Sequence, residues 1–315
     1  MLGCRKSKLA LAQAKLVEDS LRLFYPRLEF ELKTIITTGD KILNKALNKI
    51  GDKGLFTKEI EEALLGGEID LAVHSMKDLP VQLPKGLEIG AVPKREDPRD
   101  VLVSLGGSSL ESLPKGARIG TSSLRRSAQL LNIRTDLDML PLRGNLDTRI
   151  KKLERGSYDA ILLAYAGLKR LGVLVGTEHC SVPTGSLTMT LIPLDKILPQ
   201  AGQGALGIEI RSGDLTTGDL VKAIDDYDAH LCVDAERAVL LGLGGGCSTP
   251  IGVYAQVDNQ QIILKAGVFS LDGKVAIRDE VRGRKENAQE LAQGLAETML
   301  KKGAQEILEG LKEKG

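Results

Sequence analysis

The chain has 315 residues, 42% apolar and 27% charged, with 43 basic and 42 acidic side chains and a formal net charge of +1. This length predicts two or three domains, while the balanced charge and the 3% of aromatic residues disfavour a nucleic-acid-binding protein. The chain has no apolar run of membrane-spanning length, no secretory core and no cysteine or histidine spacing typical of a metal site, so we expect a soluble, cytoplasmic, metal-free protein.

The first part of the chain has the pattern of alternating helices and strands. Ser7 is a suitable N-cap, and apolar residues recur after it at intervals of three or four, which predicts a helix. Alternation over 28–34 predicts a strand, and 54–80 predicts a helix, a glycine stop, a short buried strand and a loop. The charged, proline-containing tract 93–100 is expected to be an exposed crossover at a domain boundary.

A second unit repeats this order. It predicts a strand at 117–120, helices over 124–133 and 144–155, and a buried strand with a turn at 158–168. The tract 197–211 predicts a strand with a glycine-rich start that returns to the first lobe. Two α/β units of similar order indicate two lobes.

The last part of the chain is different in kind. After Asp228 a helix leads into a glycine tract, followed by three antiparallel strands with turns at Asn259 and at Asp272 and Gly273, and by a helix from about Glu286. This is the pattern of an α+β domain. The predicted domains are lobe 1 (1–95 and 198–222), lobe 2 (96–197) and a C-terminal domain (223–315).

Four arginines stand within twenty-five residues of an otherwise neutral chain: Arg125, Arg126, Arg143 and Arg149. Their neighbours Thr121 and Ser123 belong to loops and helix starts, where anions commonly bind. Guanidinium groups offer paired donors that fit carboxylate or phosphate. The set therefore predicts a pocket for a ligand with several acidic groups, although any single arginine is equally consistent with a solvated helix face.

Asp78 follows the apolar strand IDLAV, where loops beyond the ends of strands commonly bind ligands. A carboxylate beside Lys77 can exchange a proton or stabilise positive charge, but it can also simply bond its own backbone before Pro80. His74 is more consistent with packing than with catalysis. Cys247, after three glycines, is either an accessible thiol on a constrained turn or a buried, inert one.

Many tracts occur in one order and spacing: GCRKSKLALAQ, TTGDKIL, GDKGLFTKEIEEALL, IDLAVHSMKDLP, REDPRDVLVS, GTSSLRRSAQL, LRGNLDTRIKKL, YDAILLAYAGLKRLG, AGQGALGIEIR and GGGCSTPIG. In this arrangement the chain resembles the porphobilinogen deaminase family over nearly its whole length. The resemblance implies an α/β fold of two periplasmic-binding-protein-like lobes with the active cleft between them. It also implies a smaller α+β C-terminal domain that presents a cysteine.

The resemblance further implies hydroxymethylbilane synthase activity in tetrapyrrole (haem) biosynthesis. Four porphobilinogen molecules are joined head to tail with release of ammonia, primed by a dipyrromethane cofactor that a thioether attaches to Cys247. We expect a monomer with a small-molecule substrate, no nucleic-acid or membrane partner, and hand-off of the product to the next tetrapyrrole enzyme.

By the same resemblance, Asp78 matches the family's catalytic aspartate, which contacts pyrrole nitrogens and assists the loss of ammonia. Further residues match cofactor-binding or substrate-binding positions: Arg5, Ser7, Lys49, Lys53, Ser75, Lys77, Thr121, Ser123, Arg125, Arg126, Arg143, Arg149, Arg170 and Gln203.

Three features depart from the family's pattern. Almost nothing precedes Gly3, so we expect the first strand to be short or missing and Arg5 to be poorly fixed. Asp52 adds a negative charge beside Lys53, and the segment 172–193 has no counterpart. The alternative from another class is an anion-binding module without catalysis, in which Asp78 and Cys247 have no role. Duplex binding with a steep salt dependence would indicate a nucleic-acid protein instead.

Overall fold

The computed structural model describes residues 1–41, 54–173, 187–246 and 248–312. The predicted site residues Lys49, Lys53 and Cys247, together with Asp52 and most of the 172–193 segment, lie outside the described residues.

The described strands, in chain order, are β1 (Leu2–Arg5), β2 (Leu32–Ile35), β3 (Leu71–Ser75), β4 (Leu87–Ala91), β5 (Asp100–Leu105), β6 (Arg118–Gly120), β7 (Asp138–Leu140), β8 (Ala160–Ala164), β9 (Leu187–Leu191), β10 (Leu206–Arg211), β11 (Ile251–Asp258), β12 (Gln261–Phe269) and β13 (Ala276–Arg284). The described helices are α1 (Lys8–Phe24), α2 (Thr38–Lys41), α3 (Lys58–Leu65), α4 (Leu124–Ile133), α5 (Leu146–Glu154), α6 (Tyr165–Arg170), α7 (Leu215–Lys222), α8 (Tyr227–Gly242), α9 (Ala288–Met299) and α10 (Gln305–Lys312).

Two five-stranded sheets share one topology. The first has the order β2-β1-β3-β10-β4 and the second the order β7-β6-β8-β5-β9. In each sheet the first three strands are parallel, and the fourth runs antiparallel to both of its neighbours. The fourth strand, β10 or β5, lies next to the chain segments that connect the two sheets. The predicted return of 197–211 to the first lobe is confirmed.

Helices cover both faces of the first sheet. Val73 of β3 packs with Val17 and Leu21 of α1 on one face. Its neighbour Ala72 points to the other face and packs with Leu64 of α3. This alternation follows from the two-residue period of a strand, and it explains why β3 is apolar without interruption.

The third sheet is an antiparallel meander, β11-β12-β13. Its turns lie at Asn259, which has a φ of 58°, and at Gly273, which has a φ of 72°, as predicted. Helices α8 and α9 pack against the sheet through a core that includes Val239, Val253 and Leu264. The predicted fold class, two α/β lobes and a smaller α+β C-terminal domain, is confirmed. The exact domain boundaries stay a prediction.

Of the two alternatives for the first strand, short or missing, the structure shows a short strand of four residues that pairs with β2 on one side and β3 on the other. Two other local expectations are corrected. The second strand begins at Leu32 rather than Leu28, because Leu28 closes a turn on Tyr25 after α1. The tract 93–100 is not an exposed crossover: Lys94 is exposed, but most of the tract is half-buried and its last residue begins β5.

Candidate functional site

Asp78 lies at the end of a 3-10 turn that directly follows β3. Met76 and Leu79 are buried within this turn and anchor it, whereas Asp78 is exposed. Behind the turn, Arg237 of α8 donates a hydrogen bond to the carbonyl oxygen of Pro80 (2.8 Å). Helix α8 thus holds the turn from one side, and the Asp78 carboxylate remains exposed beyond the C-terminal end of β3.

A pocket opens at the C-terminal end of β3. It is lined by Arg5, Ser7, Leu9, Ala10, Gln13, Phe56, Thr57, Val73, His74, Ser75 and Asp78. Four predicted site residues, Arg5, Ser7, Ser75 and Asp78, therefore meet in one place, although they come from two separate parts of the first lobe.

Arg5 is firmly held in this pocket. Its Nη2 donates to Asp40 Oδ1 (2.5 Å), and its guanidinium lies 4.3 Å from the centre of the Phe56 ring. Burial on its own would raise the pKa of Asp40, but the hydrogen bond and charge of Arg5, with hydrogen bonds from Thr37, lower it. The expectation that Arg5 would be poorly fixed is wrong, because the Asp40 carboxylate and the face of the Phe56 ring hold its guanidinium group.

Ser7, Gln13 and Ser75 also form hydrogen bonds in this pocket. Ser7 Oγ caps α1 by accepting from the Ala10 amide (3.2 Å). Gln13 Nε2 donates to Ser75 Oγ (2.9 Å). His74 is buried, with its Nε2 3.1 Å from an oxygen of the buried Glu209, which agrees with a packing role rather than a catalytic one.

Arg125 and Arg126 are buried at the base of the cleft, where they share one carboxylate. Arg125 Nη1 donates to Asp100 Oδ2 (2.8 Å) and to the carbonyl oxygen of Leu198 (2.6 Å). Arg126 Nη2 donates to Asp100 Oδ1 (2.6 Å), and its Nη1 donates to the carbonyl oxygen of Leu162 (3.1 Å). Burial would raise the pKa of Asp100, but the two guanidinium charges hold it far below its usual range.

Gln203 connects this cluster to the turn that carries Asp78. Its Nε2 donates to Asp100 Oδ1 (2.8 Å), and its Oε1 accepts from Lys77 Nζ (3.3 Å). Burial, with a smaller effect of the nearby arginine charges, lowers the pKa of Lys77 to about 8, although Asp78 and Asp100 oppose the shift. The Gln203 amide thereby links Asp100 of the second lobe to Lys77 of the first lobe.

Arg149 and Arg170 lie around the same cleft. Arg149 Nε donates to the Gly144 carbonyl (2.8 Å), and burial together with the Arg126 charge lowers its pKa to about 10 against the influence of Asp78. Arg170 Nη2 donates to the Gly204 carbonyl (2.6 Å), and burial lowers its pKa to about 10. Cations whose charge is disfavoured by burial gain most from an anionic ligand.

The remaining predicted residues of the second lobe belong to the start of α4 or lie near it. Ser123 is the N-cap of α4, accepting from the Arg126 amide (3.4 Å), and its own amide donates to the Thr121 hydroxyl (3.2 Å). Arg143 is half-buried, and its carbonyl oxygen accepts from Lys152 Nζ (3.1 Å). A helix N-terminus and basic side chains together suit an anion.

Sequence analysis missed three residues that organise this site. Asp40 fixes Arg5, Gln13 fixes Ser75, and Asp100 fixes the two arginines of α4. Asp40 stood within the quoted tract TTGDKIL and Asp100 within REDPRDVLVS, but their partners are 35 and 25 or more residues away in the chain. Local patterns carry no signal for such distant pairs.

The donor set of the cleft fits a ligand with several carboxylates: Lys77, Arg149, Arg170 and the N-terminus of α4 come from different elements and are cationic or donate N–H groups. Within the described ranges, no group of three His, Cys, Asp or Glu side chains could hold a metal ion. The helices of the described part of the chain include none that is long and apolar enough to cross a membrane.

Comparisons with known proteins agree with these features. A family model described as "Porphobilinogen deaminase, dipyromethane cofactor binding domain" matches residues 1–219, and "Porphobilinogen deaminase, C-terminal domain" matches 230–301. The chain is 51% identical over 308 residues to a porphobilinogen deaminase of Desulforudis audaxviator, covering 98% of this chain and 96% of the relative. It is 49% identical over 312 residues to that of Carboxydothermus hydrogenoformans, covering 99% and 97%.

Solved structures with similar lobes are much more distant. The periplasmic VFT2 domain of Bordetella pertussis BvgS is 14% identical, with a TM-score of 0.39 over 72% of this chain and 80% of that one. An ancestral arginine-binding protein bound to glutamine is 15% identical, with a TM-score of 0.36 over 71% and 88%.

Proposed function

The chain belongs to the porphobilinogen deaminase family, and we propose that it is the transferase that joins four porphobilinogen molecules head to tail, releasing one ammonia at each step, to give hydroxymethylbilane. The observation that carries this proposal is the position of Asp78. Its exposed carboxylate stands on a rigid turn, beside a lysine and opposite a cleft of arginines.

In the proposed reaction, the carbon–nitrogen bond of the protonated aminomethyl group of the substrate breaks, and the nitrogen leaves as ammonia with the bonding electron pair. The electron-rich pyrrole supplies the electron pair, so positive charge develops on the ring while the amine departs. Asp78 stabilises this charge, because its fixed carboxylate needs no reorganisation when the cation forms. The carbon that then joins the cation loses a proton, and we propose as its acceptor Asp78, the carboxylate among the residues that line the pocket.

We propose that the dipyrromethane cofactor is attached through a thioether to Cys247, a residue outside the described ranges. When bound, the cofactor supplies the pyrrole carbon on which the chain grows. Lys77, Arg149, Arg170 and the start of α4 would hold its carboxylates, since these groups are the cationic or N–H-donating members of the cleft. Lys49 and Lys53 are proposed for the same cleft.

The substrate's charge requires a basic lining. Each pyrrole unit carries two carboxylates, so a growing oligomer accumulates negative charge that the chain's net charge of +1 does not offset. A charge-assisted hydrogen bond contributes on the order of 1.5–3 kcal/mol, so several are needed to retain the oligomer. Arg5, Ser7, Ser75 and Arg143 are proposed to meet the incoming substrate.

For Arg125 and Arg126 the structure supports a narrower proposal. Both side chains are buried and already donate to Asp100 and to backbone carbonyls. We propose that they contribute positive potential to the base of the cleft, and that the hydrogen bonds to the ligand come chiefly from residues nearer its surface. Thr121 and Gln203 are likewise proposed to support the cleft from within.

We further propose that the protein is a cytoplasmic monomer with the domain limits predicted above, and that it passes its product to the next tetrapyrrole enzyme. These proposals rest on the family resemblance alone.

Intact-protein mass spectrometry tests the proposed function. Protein from cells that make porphobilinogen should carry the mass of one dipyrromethane, and a Cys247→Ser variant should lack it. Cys4→Ser is the matched control, because Cys4 is fully buried and burial raises the pKa of its thiol to about 11. An unmodified mass in the unsubstituted protein, with no turnover, would favour the anion-binding module instead.

A further inference from the structure

Asp100 is the carboxylate at the junction of the two lobes with the largest number of described side-chain partners. It is the first residue of β5, it is buried, and it accepts from Arg125, Arg126 and Gln203. A buried carboxylate is costly unless it is paired and fully hydrogen-bonded. Two guanidinium groups and one amide meet that demand here, and one net positive charge remains on the three ionised groups.

The contact with Asp100 also determines which way the Gln203 amide points. A carboxylate oxygen can only accept, so the NH₂ end of Gln203 must face Asp100, where Nε2 also donates to the Pro98 carbonyl (2.7 Å). The oxygen end must then face Lys77, whose ammonium group can only donate. The direction of this single amide is therefore set by the negative charge of Asp100.

We propose that Asp100 is the positioning residue of the cleft: it fixes the guanidinium groups of Arg125 and Arg126 and, through the Gln203 amide, holds the Lys77 ammonium group beside Asp78. The assignment deepens the proposed function, on which it rests for the meaning of the cleft. The contacts themselves are independent of any ligand.

The charge balance around Lys77 supports this assignment. Among the described residues, the charged groups that act on Lys77 include Asp78 from its own turn, Asp100 from β5, and Arg125 and Arg126 from α4. Asp78 and Asp100 favour the protonated form of Lys77, whereas the two arginines disfavour it. Without the Asp100 carboxylate, the two buried guanidinium charges would be opposed less strongly, by Asp78 without Asp100. Arg237 of α8 lies on the other side of the turn, behind Met76.

An Asp100→Asn variant of the full chain tests the proposal without relying on turnover. Competitive acetylation of lysines over a pH series, read by peptide mass spectrometry, gives the pH at which Lys77 loses its proton. The loss of the Asp100 charge should lower that midpoint by on the order of one pH unit. The same variant should retain less dipyrromethane in its intact mass.

Asp97→Asn is the matched control, because Asp97 pairs with Arg99 (2.5 Å) on the same segment and does not contact the cluster. This control should leave the Lys77 midpoint unchanged. A folded Asp100→Asn variant with an unchanged midpoint would overturn the proposal.

A second variant covers the case in which Asp100→Asn does not fold. Gln203→Met retains both arginine contacts of Asp100 but removes the amide that reaches Lys77. It should lower the Lys77 midpoint and increase the reactivity of this lysine at neutral pH, and unchanged labelling would refute the amide link. Labelling of Lys77 needs no porphobilinogen. If the Lys77 midpoint shifts in the variants as predicted, but the unsubstituted protein carries no dipyrromethane and has no turnover, the result would count against the proposed function and not against the role of Asp100.

Discussion

Gly204 packs closely against the segment that connects the two lobes. Its φ is +90°, and a β-carbon added to it would lie 2.3 Å from the carbonyl oxygen of Glu96. Its own carbonyl accepts from the Glu96 amide (3.2 Å) and from Arg170 Nη2 (2.6 Å). Because the clashing atom belongs to the backbone, a Gly204→Ala variant cannot relieve the contact by moving a side chain.

Gly213→Ala provides the matched control, since Gly213 has a φ of +81° and open space around its α-carbon. Both variants carry the left-handed penalty of about 1–2 kcal/mol. Gly204→Ala must in addition disturb one backbone hydrogen bond, about 0.5–1.5 kcal/mol, and one from a guanidinium, about 1.5–3 kcal/mol. We therefore expect its free energy of unfolding to fall below that of Gly213→Ala by about 2–4.5 kcal/mol.

The assay is equilibrium urea unfolding of both variants, followed by circular dichroism and by fluorescence of an added label. Gly204→Ala should also carry less cofactor mass, because Arg170 would lose its hydrogen bond to the Gly204 carbonyl oxygen. Equal free energies of unfolding for the two variants would refute the steric argument, since only one of them meets a neighbouring atom.

Three further predictions concern the buried and half-buried charged groups. Glu236→Gln should lower the free energy of unfolding by about 3–5 kcal/mol, because this buried carboxylate accepts from Arg95 (2.6 Å) and from two backbone amides. The control Glu297→Gln changes an exposed residue and should alter the free energy of unfolding by at most about 0.5 kcal/mol. Similar losses in both variants would show that the buried Glu236–Arg95 pair does not stabilise the fold. Lys77 loses its charge as the pH rises through about 8, so loading of the cofactor-free protein with dipyrromethane should become less efficient above that pH. Lys77→Arg should abolish this alkaline loss of loading, and an identical loss in both proteins would exclude Lys77 as its cause. Asp40 has a lowered pKa, so its ion pair with Arg5 stabilises the fold above the ordinary carboxyl range, and this stabilisation is lost as the pH falls. Asp40→Asn should therefore lower the free energy of unfolding by about 0.5–1 kcal/mol at pH 7 and leave it unchanged in acid. A difference in the free energy of unfolding that does not vary with pH would argue against the ion pair.

The sequence predicted those parts of the fold that depend on local patterns. Helix α4 begins and ends at the predicted residues, because Ser123 caps it and its apolar residues keep a helical period. Strands β5 and β9 were not predicted, because β5 follows a tract of charges and β9 follows residues without a clear pattern. Both strands exist through antiparallel pairing with distant segments, which no local window can reveal.

In the candidate site, too, the features that depend on local sequence were predictable, and those that depend on distant contacts were not. The position of Asp78 after a buried strand was predictable, and the structure gathers it with Arg5, Ser7 and Ser75 in one pocket. That the arginines of α4 would be buried was not predictable, because their burial depends on Asp100, a carboxylate 25 residues earlier in the chain. Charge patterns in a sequence identify an excess of one sign, but not the single opposite charge that fixes it.

The role of Asp78 is decided by the turnover of an Asp78→Asn variant, measured on protein that carries its full cofactor mass. The amide keeps the shape of the side chain but removes its charge, so the rate of ammonia release should fall by about 10²–10⁴-fold while the cofactor mass is unchanged. A variant that releases ammonia at nearly the original rate would show that no negative charge is needed at this turn, and Asp78 would lose its proposed role.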